Sequence, residues 1–354
     1  MRVYEIEITL ESPLVSTEEQ IGNILRHSGA YIKGRLIRGA ILNLLRSRHP
    51  DEVKDEIEKP KLIFHPAYPF DGEIYKPAHP FVFRCKICKE MPSPDWTEKY
   101  KEIYDIVKSL KDGKFQRPIC CKKGHPFSLE SSGGALVKNN SEKFTVRHVR
   151  VESVGINRAV KSSEVGMLYG YVALPPGLSF KGLIVDIGSR IEGIAEIKEI
   201  WMGRGISRGM GKASVKIREV DGKLDERKKE IKGVIERKGI LILRALSQIF
   251  SLKLGLNGIY SIPLPSLNHK AISPVRIDAF NGNGIFTGFS GVLGFSSLSR
   301  LPIPRITGAD IGSIFIYEVS ADQVDDAAEY LARGELLGFG PFSASGFNIL
   351  EVMR

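Results

Sequence analysis

Cysteine is scarce in this chain: four residues in 354, all between positions 85 and 121. A disulfide scaffold distributes its cysteines through the fold. A tight cluster points instead to a metal site in a reducing compartment. Long apolar runs are absent. No segment approaches the ~18 uninterrupted apolar residues of a membrane-spanning helix. The opening MRVYEIEITLESPL alternates charged and apolar residues and lacks the apolar core of a signal peptide, so a cytoplasmic protein with no membrane partner is expected. Nucleotide-binding fingerprints are missing too. The glycine-rich stretch 203–212, GRGISRGMGK, fails the Walker pattern at Ile206 and Ala213, and does not fit G-x-G-x-x-G. Acid is in deficit: 41 Asp and Glu against 51 Lys and Arg give a net charge of +10. That excess favours a polyanionic partner, nucleic acid before a membrane surface.

What is present reads as globular: 42% hydrophobic and 26% charged residues, in a chain long enough for two domains and an insert. Val3 to Leu10 alternates with period two and predicts a strand. A polar loop is expected from Glu11 to about Ala30. Arg35 to Arg46 then places Leu36, Ile37, Ala40, Ile41, Leu44 and Leu45 on one helical face, with Gly39-Ala40 suggesting close packing on a sheet. A strand followed by a glycine-flanked helix opens a ferredoxin-like unit. The two halves end alike, in GRGISRGMGKASVKI (203–217) and GFGPFSASGFNILEV (338–352), a weak internal repeat implying two copies of one fold. The expectation is an α+β protein of two ferredoxin-like domains, 1–220 and 239–354. A charged linker or helix at 221–238 joins them, and an insert occupies about 84–134.

The insert carries Cys85-Lys86-Ile87-Cys88, a C-x2-C knuckle, and Cys120-Cys121-Lys122-Lys123-Gly124-His125. Two ligand pairs on tight turns supply the four corners of a tetrahedron, which zinc prefers. Cys85, Cys88, Cys121 and His125 form the best set. Cys120 is an alternative to Cys121, since both spacings to His125 are feasible. Four closed ligands leave no open position for water, so the zinc would be structural.

Three basic elements stand out. Arg204 and Arg208 alternate with glycines in 203–212, where a backbone without Cβ can approach phosphate. Lys33, Arg35 and Arg38 lie at a helix start, where free N–H groups favour anions. Arg147 and Arg150 alternate with apolar residues on an extended stretch that continues to Arg158. The expected role of these eight residues is phosphate neutralisation, not catalysis.

Together the stretches YIKGRLIRGAI (31–41) and GRGISRGMGK resemble the RAMP superfamily of CRISPR-associated proteins, in particular the type III-D effector subunit that looks like the crRNA 5′-handle-binding member. Ser12-Pro13-Leu14, Phe64-His65-Pro66-Ala67-Tyr68-Pro69, the cysteine insert, Val154-Gly155-Ile156-Asn157-Arg158, Met167-Leu168-Tyr169, Leu301-Pro302 and Ala309-Asp310-Ile311-Gly312-Ser313 extend the likeness over most of the chain. The second glycine loop departs from it, having no Arg or Lys between Gly338 and Phe347. The resemblance implies a non-catalytic subunit of a type III ribonucleoprotein, gripping the 5′ repeat-derived handle of the crRNA. It would dock beside the large polymerase-like subunit and other RAMP subunits. Bases would stack on aromatics such as Tyr31 or Phe144. Three other readings compete: a repeat-cleaving endoribonuclease using His27 and His148, a backbone subunit cleaving target RNA with Asp51 or Asp55 and a metal, and a zinc-containing protein-interaction module without RNA contact.

Overall fold

The computed structural model describes residues 1–21, 25–139, 142–157, 161–250, 267–280, 282–296, 301–340 and 342–354. Its first half is built from β1 (Arg2–Leu10), α1 (Gly34–Leu45), β2 (Leu62–Phe64), β3 (Ser179–Asp186), β4 (Glu199–Trp201) and β5 (Lys212–Glu219). The strands form one sheet in the order β4-β5-β1-β3-β2, every neighbour antiparallel. Period-two alternation turns Tyr4, Ile6, Ile8 and Leu10 toward α1, and Val3 to the opposite face. From α1, Ile37, Ile41, Leu42 and Leu45 meet the first set. The buried stripe is rotated from the expected one: Leu42 is inside and Leu44 is 45% exposed.

The second half repeats the arrangement. α2 (Lys223–Lys238), β6 (Ile240–Ala245), β7 (Ile272–Pro274), β8 (Ile314–Val319), α3 (Val324–Leu337) and β9 (Leu350–Val352) give a sheet in the order β7-β8-β6-β9, again antiparallel. In both sheets the first strand lies between the last and the third. The charged stretch after Asp221 is helix α2. Ile231, Val234 and Ile235 are its buried stripe, and its cations pair with α3 through Lys228–Glu329 at 2.8 Å and Lys232–Asp325 at 2.9 Å. Among the described residues, no helix is long and apolar enough to cross a membrane.

The structure departs from the sequence reading in two places. The stretch expected as polar loop holds two short strands, Thr17–Ile21 and Leu25–Ser28, because a long hairpin far along the chain (Val149–Asn157 with Ser162–Ala173) supplies their ladder partner. The insert lies by sequence in the first half, yet its Tyr100, Ile103, Tyr104 and Val107 belong to the second half's core. The Tyr104 hydroxyl there donates to the Met353 carbonyl at 2.8 Å.

The halves meet at the face of the first sheet turned away from α1. Val3, Ile63 and Val185 pack against Leu336 and Ile349. Beside them Glu5 is bound by Lys181 at 3.1 Å, Arg218 at 2.8 Å and Lys223 of α2 at 3.2 Å. At the start of α1 the contact is backbone on backbone. A Cβ on Gly34 would stand 2.0 Å from the Phe64 carbonyl oxygen and 2.9 Å from Gly346 Cα. Gly39, read from sequence as the close-packing glycine, has nothing within 4 Å. It lies on the exposed side of the helix, so the tight approach belongs to Gly34.

Three variants probe these contacts. Gly34→Ala lowers stability by at least about 2 kcal/mol in chemical denaturation, through overpacking against a backbone that cannot yield. Gly39→Ala raises it by about 0.5–1 kcal/mol through helix propensity alone. Burial works against ionised Glu5, but bonds from Arg218, Lys181 and Lys223 outweigh it and bring the carboxyl from 4.5 down to about 2. A folded-state value below the unfolded one stabilises above pH 4.5 and fades as pH falls toward 2. Glu5→Gln therefore costs about 1–3 kcal/mol at neutral pH, and denaturation curves of the two proteins converge in acid.

Candidate metal centre and candidate nucleic-acid interface

Two turns bring the metal donors together. In the first, the Lys89 N–H donates to the Cys85 carbonyl at 3.0 Å, and Lys89 takes a left-handed φ of 62°. In the second, the Gly124 N–H donates to the Cys121 carbonyl at 2.8 Å, with φ 80°. The donor atoms of Cys85, Cys88, Cys121 and His125 all lie within 4.8 Å of one another. Cys88 Sγ is 3.6 Å from Cys121 Sγ. His125 Nδ1 is 3.5 Å from Cys85 Sγ and 3.4 Å from Cys121 Sγ. A tetrahedral site with metal–sulfur bonds near 2.3 Å and metal–nitrogen bonds near 2.05 Å needs sulfur–sulfur edges of about 3.8 Å and sulfur–nitrogen edges of about 3.6 Å. Three of the six edges are therefore close to those a tetrahedral cation requires, and the cluster could hold a metal ion.

Electrostatics agree. Burial raises the Cys85 thiol, but the N–H groups of Cys88 and Ile87 and the Ser128 hydroxyl outweigh it and bring it down to about 5. Cys88 is pushed up by burial and by its neighbours Cys85 and Cys121. One thiolate thus opposes the next, a conflict that a bound cation removes. Cys120 lies outside the cluster. Its carbonyl accepts from Ser93 N–H at 3.0 Å, and it bridges Pro126. The open choice between the two cysteines falls to Cys121. Spacing gave no sign of Ser128, whose hydroxyl lies 3.1 Å from Cys85 Sγ and donates to the His125 carbonyl at 2.9 Å.

The basic residues divide into two groups. Arg204 and Arg208 are exposed, Arg208 in the 3-10 turn Ile206–Arg208 flanked by left-handed Gly205 and Gly209, and Arg204 just before it. Met210, closing that loop, packs with Val15, Tyr171, Ala173 and Val151, which ties the loop to the hairpin carrying Arg150. Arg147 and Arg150 are exposed, Arg150 pairing Glu152 at 2.8 Å. On the same small sheet, Lys33 donates to the Thr17 carbonyl at 3.2 Å, and the His27 and His148 rings lie 4.7 Å apart. Burial and the charge of His27 hold His148 below the usual imidazole range.

The other group points elsewhere. Arg38 donates to the Glu56 carbonyl at 2.9 Å and lies 3.7 Å from its carboxylate. Glu56 is buried and also accepts from the N–H groups of Lys61 and Leu62. Arg35 stands 6.0 Å over the ring of Phe347, on the second glycine loop. Arg158 lies outside the described residues. Tyr31 is buried and stacked on Tyr68 at 5.4 Å, so its ring cannot receive a base, and Phe144 leans half-buried on Tyr75. Asp51 and Asp55 are exposed on the helix Pro50–Glu58.

The second glycine loop repeats the first closely. Its 3-10 turn Ser343–Ser345 is flanked by left-handed Phe342 and Gly346. Arg208, Gly209 and Met210 donate to Gly205, Ile206 and Gly205, while Ser345, Gly346 and Phe347 donate to Phe342, Ser343 and Phe342. The internal repeat is therefore real at the level of single hydrogen bonds. The copies differ in surroundings: the first faces solvent with two arginines, and the second is seated on Gly34 and Phe64. A cleft of about 740 Å³ between the halves is lined by six cations and six carboxylates. Among them Glu351 is held by Lys76 at 2.5 Å and by Arg244 at 2.8 Å, so the cleft is charge-balanced.

The metal assignment predicts a clean contrast. Protein purified without chelator carries one equivalent of metal by elemental analysis. Cys121→Ser drops to well below one equivalent, and Cys120→Ser keeps it.

No family of known sequences matches this chain, and no curated protein does. Solved structures do. A chain in the cryo-EM structure of the Type III-B Cmr-beta bound to cognate target RNA is 11% identical, with 99% of each chain covered and a TM-score of 0.52. The same complex with cognate target RNA and AMPPnP gives 12% identity, 98% and 99% coverage and a TM-score of 0.48. Thermus thermophilus Cas6 gives 8%, 99% and 98%, and 0.37. The protein thus shares, along its whole length, the fold of a chain in a Type III-B Cmr complex.

Proposed function

We propose that this protein is a non-catalytic crRNA-binding subunit of a type III CRISPR ribonucleoprotein effector complex. It grips the 5′ repeat-derived handle and docks to the large subunit and to related RAMP subunits. The observation that carries the proposal is the contrast between the two glycine loops. They share one backbone, but the copy open to solvent carries Arg204 and Arg208, and the copy without cations is used to join the halves. Packing of Met210 on the hairpin puts that loop beside the element bearing Arg147 and Arg150. Likeness in fold to a chain of an RNA-bound Type III-B complex supports the same reading.

In this reading the two sheets are ferredoxin-like domains, since both contain the order last-first-third-second with all neighbours antiparallel, that of a split βαβ unit, to which the first sheet adds β4 at its edge. The metal is zinc in a purely structural role, closed by three thiolates and an imidazole. Lys33, Arg147, Arg150, Arg204 and Arg208 neutralise phosphates. Arg35 and Arg38 serve mainly to hold Phe347 and Glu56.

One observation favours a second reading. The 4.7 Å approach of His27 and His148 beside Lys33 would suit a repeat-cleaving endoribonuclease, in which a neutral imidazole takes the ribose 2′-OH proton. A single assay pair separates the readings. Single-stranded RNA binding should weaken steeply between about 50 and 200 mM salt. Arg204→Glu with Arg208→Glu should lower affinity about tenfold or more and flatten the salt slope by about 0.7 per lost phosphate contact. Repeat RNA should remain intact in the same tubes. Metal-independent cleavage at one site, abolished by His148→Ala, would establish the enzyme instead.

A further inference from the structure

We propose that the tip of the metal knuckle is a separate contact for single-stranded RNA, in which the Phe127 ring receives a base and the surrounding lysines its phosphates. The inference rests on the RNA-binding reading above but uses none of its residues.

Phe127 is 88% exposed, more than any other large hydrophobic residue among those described, so both faces of its ring are open. Its backbone is also left-handed, with φ 52°. A bulky side chain is rare in that region and costs energy to hold there, a cost met by no core contact. Nothing in the packing of the chain accounts for a phenyl ring at this position.

The ring is not isolated. The Phe127 N–H donates to the Ile119 carbonyl at 2.7 Å, and the Lys86 N–H donates to the Ser128 carbonyl at 2.8 Å. These bonds bring Ile119, 64% exposed, and Ile87, 69% exposed, to the same end of the knuckle. The donor cluster is directly behind them, so the platform is preorganised by the metal turns and loses little freedom on binding.

Charge selects the occupant. Segments 84–90 and 117–130 hold six cations, Arg84, Lys86, Lys89, Arg117, Lys122 and Lys123, against two carboxylates, Glu90 and Glu130. Those carboxylates make only long contacts, Lys123–Glu90 and Lys86–Glu130, each at 3.8 Å. Among the described residues neither Lys89 nor Lys122 has an ion-pair partner. A ring presenting an open π face, within a local charge surplus of four, fits a nucleotide chain: the base stacks and the backbone finds cations. Stacking of this kind tolerates any base, so the contact would anchor RNA without reading its sequence.

The test uses the full chain and a fluorescent single-stranded oligouridylate in anisotropy titrations. Phe127→Gly removes the ring while suiting the left-handed backbone, so the knuckle stays folded, as an unchanged metal content will report. Affinity is expected to fall about tenfold. Lys122→Glu with Lys123→Glu should weaken binding further and reduce its salt dependence. If wild-type protein binds, Arg204→Glu weakens it, and both knuckle variants bind as wild type does, the knuckle proposal fails alone. If wild-type protein binds no RNA, the proposal falls with the functional reading. Variants that keep full RNA affinity but no longer enter the assembled complex would mark the tip as a protein-docking surface and overturn the RNA contact.

Discussion

The arrangement of the two halves depends on a place where two backbones touch with no side chain between them. Gly34, at the first turn of α1, faces Gly346 and the Phe64 carbonyl at distances no Cβ would permit. Closure here seats the second half's glycine loop on the first half's helix. It turns Arg35 toward Phe347 and allows Leu336 and Ile349 to complete the apolar contact with Val3, Ile63 and Val185. Backbone contact between glycines is specific in a way that apolar burial is not, because it leaves no room for an added methyl group. The ion cluster at Glu5, which includes Lys223 of α2, adds a charged contact between the halves at the edge of the charge-balanced cleft.

How much of this was legible depends on the range of the interaction concerned. Local signals carry through to the fold. The alternation of Val3 to Leu10 is a strand, the stretch from Gly34 is a helix, and Cys85, Cys88, Cys121 and His125 bring four donors within 4.8 Å of one another. The repeat of glycine loops was visible as composition, and holds bond by bond. Long-range consequences were hidden. Strands 17–21 and 25–28 carry no clear alternation and exist because Ser162–Ala173 comes alongside. Gly39 and Gly34 look equivalent on paper, and only the partner across the interface distinguishes them. Tyr31 resembles an RNA-stacking residue in sequence and is a core residue in the fold, since aromatic identity does not encode which way a ring faces.

The candidate interface gained contrast in the same way. Eight cations were equal by charge count. Burial and pairing separate Arg38, engaged with Glu56, from Arg204 and Arg208 on an exposed turn. The metal knuckle shows a similar economy. Its neighbouring thiols Cys85 and Cys88 are pushed in opposite directions, and its outer surface carries lysines for which the fold has little internal use.

The insert has one further consequence. It leaves the chain within the first half, and its helix Ile103–Lys111 lays Ile103, Tyr104 and Val107 into the core of the second. The molecule is therefore interlocked rather than modular. A fragment cut at the apparent boundary near residue 220 would bare an apolar helix flank on one piece and open a hole in the other. Neither half could be exchanged on its own without carrying or losing the insert's helix, because that helix belongs by sequence to one half and by packing to the other.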